Sequence, residues 1–426
     1  MKGNRIVPSA LSGIIKAPPS KSLAHRALIC AALSGEECFI SNVGVSDDVK
    51  ATISCLSKLG VMFTVDGNGL LVNGKNIKRG KECGPIEFNC KESGATLRFM
   101  IAIAAALGVD ASFYGTGNLP NRSVEEYVKL LPASGVQTFK KGNEIISISG
   151  QLAGEEFNVS TEVSSQFLSG LMLALPLLEK PSVINLSEPI HSRDYVVLTS
   201  DIQAHFGVCP VIDKSNLKVT VPNGRYVPAD YKIEGDYSSA AFYLVAGALG
   251  HGVTVEGLSE NSHQGDRRIV KILSSCGAKI TQSESFVKVS GTPILTPVRI
   301  DCSDIPDLVP ILAVLSCFAD GKSVLENCGE LYYKESDRVR AICDALTAFG
   351  ADIEAVGGNI VVRGHGWLDG GEAYDYGDHR VAMALSIAAA FSDHESEIET
   401  DNTVNKSYPA FYSDFVKLGG RYTKLS

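Results

Sequence analysis

No apolar run in this 426-residue chain goes beyond about 10–15 residues before a charge, glycine or proline interrupts it, too short for a bilayer-spanning helix. The opening MKGNRIVPSALSG lacks the apolar core of a signal peptide. The eleven cysteines form no CxxC pair, and their odd number argues against a disulfide framework. Reduced, mostly buried thiols in a cytoplasm are expected. There is no HExxH, no EF-hand loop and no Cys/His ligand spacing, so a structural metal is not expected. The stretch GTGNLP, from Gly115, has no third glycine, which removes the Walker and dinucleotide fingerprints. Low-complexity tracts are absent. The net charge of −9 disfavours nucleic acid and anionic membrane as partners.

What the chain does have is a beat of about 70 residues. Six times a short polar cluster runs into an Ala/Leu-rich stretch: from Pro19, Glu92, Val163, Gly235, Ser303 and Gly377. Each reads as a helix start followed by an apolar run without a polar face, hence a helix buried all round. An amphipathic helix keeps the same period and closes on Gly60, Gly135, Gly207, Gly277, Gly350 and Gly419, each a candidate C-cap. Alternating segments near Leu70, Ile145, Leu217, Val287 and Asn359 read as strands.

Each repeat is therefore βαβαββ. The first helices belong inside, the second set around them and the sheets outside. At this length two domains are expected, three repeats in each. The Pro/Gly-rich stretch Pro222–Asp236 marks the boundary. The chain before Pro18 reads as a single strand-like segment that completes the second domain. The expected division is residues 20–232 as an inserted α/β (α+β) domain, and 1–19 with 233–426 as a discontinuous one. Two crossovers between halves make a hinge, with the active site in the inter-domain cleft.

Basic residues cluster at these helix starts although the protein is acidic. Lys21, Arg26, Arg98, Arg122, Lys334, Arg338, Arg380 and Lys406 all lie in or beside the repeat clusters. Helix N-termini add partial positive charge and unpaired N–H groups, so small, highly anionic ligands are expected. Ser22 and Arg26 share one helix face, and the apolar continuation leaves Arg26 little but a cleft to face. Lys334 and Arg338 bracket Glu335 and Asp337; alone, that pattern is equally an ordinary salt-bridged surface helix. Ser164, Ser165 and Gln166 offer neutral donors at a helix start. Asp307 begins a wholly apolar helix, either as a capping charge or as a base facing the cleft.

Taken together, PPSKSLAHRAL, SGATLRF, LPNRS, VSSQFLSGLMLALP, EGDYSSAAFYL, IPDLVPILA, KESDRV and GDHRVAMALS resemble the 5-enolpyruvylshikimate-3-phosphate synthase family, in order over nearly the whole chain. The resemblance implies two inverse domains of three βαβαββ units, the second inserted near the start of the first. It implies transfer of the enolpyruvyl group of phosphoenolpyruvate to the 5-hydroxyl of shikimate 3-phosphate, without metal or cofactor. The expected protein is a cytoplasmic monomer and a glyphosate target, Gly94 leaving room for the inhibitor. By resemblance, Lys21, Gly94, Arg122, Gln166, Arg338, Arg380 and Lys406 contact phosphoenolpyruvate. Lys21, Ser22, Arg26, Ser164, Ser165, Gln166, Ser192, Tyr195, Asp307 and Lys334 hold shikimate 3-phosphate. Asp307 is the expected base for the hydroxyl, and Glu335, with Lys21, the expected carrier of proton traffic at the methylene carbon.

Two places depart from the family pattern: Glu92 and Phe99 stand where many relatives have Asn and Pro, and Arg193 and Asp194 follow Ser192. One rival is the related UDP-N-acetylglucosamine enolpyruvyl transferase, many of which use a loop cysteine. No cysteine lies between Cys90 and Cys209 here, and the loop carries Arg122 instead. A second rival is an inert sugar-phosphate sensor, which need not keep both a base and an acid.

Overall fold

The structure is a computed structural model that describes residues 2–215, 217–292 and 294–425. The chain divides into two compact units, Pro19–Ile233 and Met1–Pro18 with Glu234–Ser426. Each unit has its own apolar core.

Six helices are buried along almost their whole length: α1 (Lys21–Leu33), α3 (Gly94–Leu107), α5 (Gln166–Ala174), α7 (Tyr237–Leu249), α9 (Val309–Cys317) and α11 (His379–Ala390). Between them run six half-buried helices: α2 (Asp47–Lys58), α4 (Glu125–Ala133), α6 (Arg193–His205), α8 (Arg268–Ser275), α10 (Arg338–Ala348) and α12 (Phe411–Lys417). Alanine and glycine let the inner helices approach closely. A methyl group on Gly170 of α5 would lie 2.9 Å from the Arg98 carbonyl oxygen of α3. In the second unit α7, α9 and α11 pack on one another.

The six glycines that follow the outer helices all sit at positive φ, from 82° to 98°. At five of the six, the residue after the glycine donates its N–H to the carbonyl five positions back, as Ala278 does to Leu273. This is the Schellman closure that a side chain would oppose.

Among the described residues there are six four-stranded sheets, each with one parallel pair at an edge and antiparallel pairing elsewhere. Three strands come from outside their repeat. Tyr231–Lys232 pairs in parallel with Glu37–Ser41 and supplies the leading strand of the first sheet. Ser12–Lys16 does the same beside Gly252–Glu256. Gly3–Val7 lies antiparallel between Ser396–Glu399 and Arg421–Leu425. The segment before Pro18, read from sequence as one strand, is thus two strands in two sheets. Pro8, just past the first strand, has no N–H with which to continue a ladder.

Candidate active site

In the Pro19–Ile233 unit Lys21, Arg26 and Arg98 sit in the first two turns of buried helices. Lys21 opens α1, and its Nζ lies 2.9 Å from Asp48 Oδ2, on the first turn of α2. Arg26, one turn further, is buried. Its Nε donates to Thr199 Oγ1 (2.7 Å), and its terminal nitrogens donate to the carbonyls of Ser22 (2.8 Å) and Tyr195 (3.1 Å). Burial pushes its pKa down to about 10. Three of its five N–H groups are thus bonded within the fold. Beneath it, His25 Nδ1 lies 2.7 Å from Thr52 Oγ1, and burial pushes the imidazole down to about 3, so the ring is neutral.

Gly94 opens α3 after the cap Ser93, whose hydroxyl accepts from the Thr96 N–H. A Cβ on Gly94 would stand 2.6 Å from Arg122 Nη1. The guanidinium thus lies on the bare backbone of that helix start. Arg122 itself follows the short turn Leu119–Asn121. The Glu92 carboxylate sits against Gly117 in the neighbouring loop, and Phe99 lies under the Arg26 guanidinium, 5.2 Å away.

Arg98 is fully buried over the Phe167 ring and donates to Gln166 Oε1 (2.7 Å) and to the Ser123 carbonyl (3.1 Å). That bond fixes the Gln166 amide with its oxygen toward Arg98, leaving its NH₂ to point away as a donor. Ser164 and Ser165 are buried beside Gln166 at the start of α5, and Ser164 Oγ accepts the Gln166 N–H (3.2 Å). Ser192, buried and at φ 50°, precedes α6.

The other unit holds a denser charge cluster. Asp307 lies in the turn Pro306–Leu308 ahead of α9. Its carboxylate takes Arg338 Nη1 on Oδ1 (3.0 Å) and Arg380 Nη2 on Oδ2 (2.8 Å). Arg338 is 1% exposed, not on a solvated surface, which removes the ordinary salt-bridged reading of its segment. It also donates from Nε to Asp378 Oδ2 (2.8 Å) and from Nη2 to Glu335 Oε2 (2.6 Å). Asp378 is wholly buried; it caps α11 through the Arg380 N–H (2.9 Å) and takes the Ser336 hydroxyl (3.2 Å). Lys334 Nζ lies 3.0 Å from Glu330 Oε1. Lys406 ends a buried turn, Thr403–Lys406, that packs on α11.

The electrostatics follow from this packing. Burial would raise the Asp307 pKa, but Arg380, Arg338 and Lys334 outweigh it and hold the carboxyl well below the usual range. Burial likewise opposes the Arg338 charge, and Asp378, Glu335 and Asp307 override it. Among the described residues, no group of three or more His, Cys, Asp or Glu side chains is placed to hold a metal ion.

A family model described as EPSP synthase (3-phosphoshikimate 1-carboxyvinyltransferase) matches residues 7–415. The 3-phosphoshikimate 1-carboxyvinyltransferase of Clostridium perfringens is 40% identical over 99% of both chains. That of Clostridioides difficile is 38% identical over 98% of this chain and 97% of its own. The chain belongs to the EPSP synthase family. A solved EPSP synthase from Acinetobacter baumannii superposes with a TM-score of 0.81 over the full length of both chains; at 23% identity it speaks for the fold alone.

Within this family frame, Asp307, Glu335, Arg338 and Arg380 form one hydrogen-bonded network, while Lys21, Gly94 with Arg122, and Arg98 with Gln166 are three separate placements in the other unit. Sequence reasoning missed Asp48 as the partner of Lys21, Arg98 as the residue that orients Gln166, and Asp378 as the carboxylate beneath Arg338. Asp378 carried a signal in its place at a helix cap, and Arg98 in its place among the basic residues of a helix start.

Proposed function

We propose that this protein transfers the enolpyruvyl group of phosphoenolpyruvate to the 5-hydroxyl of shikimate 3-phosphate and releases inorganic phosphate. The observation that carries the reading is Asp307 held between Arg338 and Arg380 at the head of a buried helix, in a chain of this family. The two substrates bring two phosphates and two carboxylates, which accounts for buried arginines in an acidic protein.

Lys21, Gly94, Arg122, Gln166, Arg338, Arg380 and Lys406 are assigned to phosphoenolpyruvate. Ser22, Arg26, Ser164, Ser165, Gln166, Ser192, Tyr195, Asp307, Lys334 and Lys21 are assigned to shikimate 3-phosphate. Chemically, the 5-oxygen bonds to C2 of the donor as its hydroxyl proton leaves and C3 gains a proton. The tetrahedral ketal then breaks its C–O bond to phosphate and loses a C3 proton to restore the double bond.

Paired with two arginines, Asp307 is a weak base. Those arginines are assigned to the donor; as they turn to its carboxylate and phosphate, Asp307 gains basicity where the hydroxyl must lose its proton. Glu335, which shares Arg338 with Asp307, is assigned the proton traffic at C3, with Lys21. The cationic groups neutralise charge as it shifts to the leaving phosphate.

The protein works in this reading as a cytoplasmic monomer. No helix among the described residues is long and apolar enough to cross a membrane, and all eleven cysteines are free. A phosphate-release assay tests the reading. Release is expected with phosphoenolpyruvate plus shikimate 3-phosphate. Release with UDP-N-acetylglucosamine as acceptor instead would favour the related transferase, and binding without release would favour a sensor.

A further inference from the structure

Glu92 stands where many relatives have asparagine, and the chemistry above gives it no task. It lies two residues before Gly94, in the turn between the strand Ile86–Asn89 and α3. The neighbouring strand, Ala111–Tyr114, runs parallel to the first and leads into a loop that ends on Arg122. That loop opens Gly-Thr-Gly-Asn, from Gly115. Two glycines in four residues raise the entropy lost on fixing it, so its place depends on contacts from outside.

The two segments clasp each other at three points. The Thr116 N–H donates to the Lys91 carbonyl at 2.8 Å. The Glu92 carboxylate lies on the Gly117 backbone, where an added Cβ would collide with both of its oxygens. In return Arg122 lies on Gly94, with Nη1, Cζ and Nη2 at 2.6, 2.8 and 3.0 Å from the place of a Cβ there. Leu119 anchors the middle of the loop at 1% exposure, whereas Thr116, Gly117 and Asn118 are exposed. Beyond Arg122, the Ser123 carbonyl is held by Arg98 at 3.1 Å. The exposed turn is thus tied to the start of α3 by one backbone bond and one carboxylate. An asparagine at position 92 would be a methylene shorter and uncharged.

We propose that Glu92 is a positioning residue for the donor: it pins the turn at Gly117 and so keeps Arg122 set over Gly94 before phosphoenolpyruvate arrives. The inference rests on the assignment of Arg122 to phosphoenolpyruvate. Glu92 acts through the loop, without a bond to the substrate. A guanidinium already in place takes up an anion without the entropy loss of ordering its loop, so the tie acts on donor affinity rather than on turnover. The sign separates this role from simple electrostatics. A carboxylate beside an anion site repels the anion, so on charge alone the removal of Glu92 would tighten donor binding.

The test is a double-mutant cycle of Glu92→Ala and Arg122→Ala, read as KM for phosphoenolpyruvate and kcat at saturating shikimate 3-phosphate. Glu92→Ala is expected to raise that KM about tenfold and to leave kcat within about twofold of the wild type. In the Arg122→Ala background the same change should have no further effect. A lowered or unchanged KM in Glu92→Ala overturns the inference, as does a loss in kcat alone or an additive cycle. Should Glu92→Ala not fold, Glu92→Gln enters the same cycle; it keeps the reach but not the charge, and about a threefold rise in KM is expected. Hydrogen exchange gives a reading that needs no turnover. The amides of Thr116, Leu119 and Arg122, all hydrogen-bonded, should exchange faster in the Glu92 variant, and unchanged exchange overturns the inference. If Arg122→Ala left donor use unaltered, the assignment of Arg122 would fall and the inference with it. Absence of phosphate release from the wild type would instead sink the enolpyruvyl-transfer reading, and exchange would still decide whether Glu92 holds the loop.

Discussion

Asp307 and Asp266 are two aspartates in one unit whose surroundings send them in opposite directions. Asp307 is clamped by Arg338 and Arg380 and held below the carboxylate range; Asp266 is buried with one hydroxyl and pushed up to about 7. A depressed folded pKa contributes stability above the unfolded value near 4, lost as pH falls through the folded value; a raised one costs stability progressively from about pH 4 to 7. Compared with the wild type, Asp307→Asn should therefore melt lower throughout the range above about pH 4, and the deficit should shrink as pH falls below about 4. Asp266→Asn should gain it between about pH 4 and 7, then level off. Melting curves at half-unit pH steps measure both, and parallel curves for either variant would refute that electrostatic assignment. Asp307→Asn should also cut turnover on the order of a hundredfold while both substrates still bind. Near-normal turnover would leave Asp307 a purely structural anion. The sequence made Arg338, Arg380 and Asp307 candidates through their place at helix starts. It could not reveal that all three share one network, because the partners lie 31 and 73 positions apart. The partners of Arg26 were hidden for a related reason: Thr199 and the Tyr195 carbonyl come from a helix more than 160 residues on.

At the scale of the element, the helices were the legible part. An all-apolar run can only be buried, and a glycine at the end of an amphipathic run can only close it, so the inner and outer helices follow from local chemistry. Gly277→Ala isolates that closure: its φ is 93°, and an added Cβ would meet nothing nearer than Thr292 Cγ2 at 3.6 Å. The cost should be the backbone term alone, about 1–2 kcal/mol in denaturant unfolding. No loss would mean that the closure is not set by the left-handed residue. The helix-start residue Gly94 shows the limit of such reading. Its bare backbone was plain in the sequence, but Arg122, which lies on it, comes from a loop 28 positions on.

For the whole molecule, the 70-residue period identified six repeats, and the segment before Pro18 was expected to complete the second unit, but not as two strands in two sheets. Strand pairing is a long-range choice, and short exposed strands carry little pattern to specify a partner. Pro19–Ile233 closes with its own last strand, Tyr231–Lys232, whereas the other unit borrows Gly3–Val7 and Ser12–Lys16 from the start of the chain. Residues 19–233 expressed alone should accordingly melt cooperatively. Residues 234–426 should do so only with a peptide spanning 1–18 supplied; cooperative melting without it would refute the closure. The central proposal is that Arg122 and Arg380 both serve phosphoenolpyruvate. It is tested most directly by kcat/KM for phosphoenolpyruvate in Arg122→Ala and Arg380→Ala, beside the shikimate 3-phosphate dissociation constant of each. Both variants should lose about 2–4 kcal/mol in use of the donor, with acceptor affinity changed far less. If Arg122→Ala abolished acceptor binding and spared the donor, the two assignments would be reversed; if neither variant altered either substrate, the shared site would be contradicted outright.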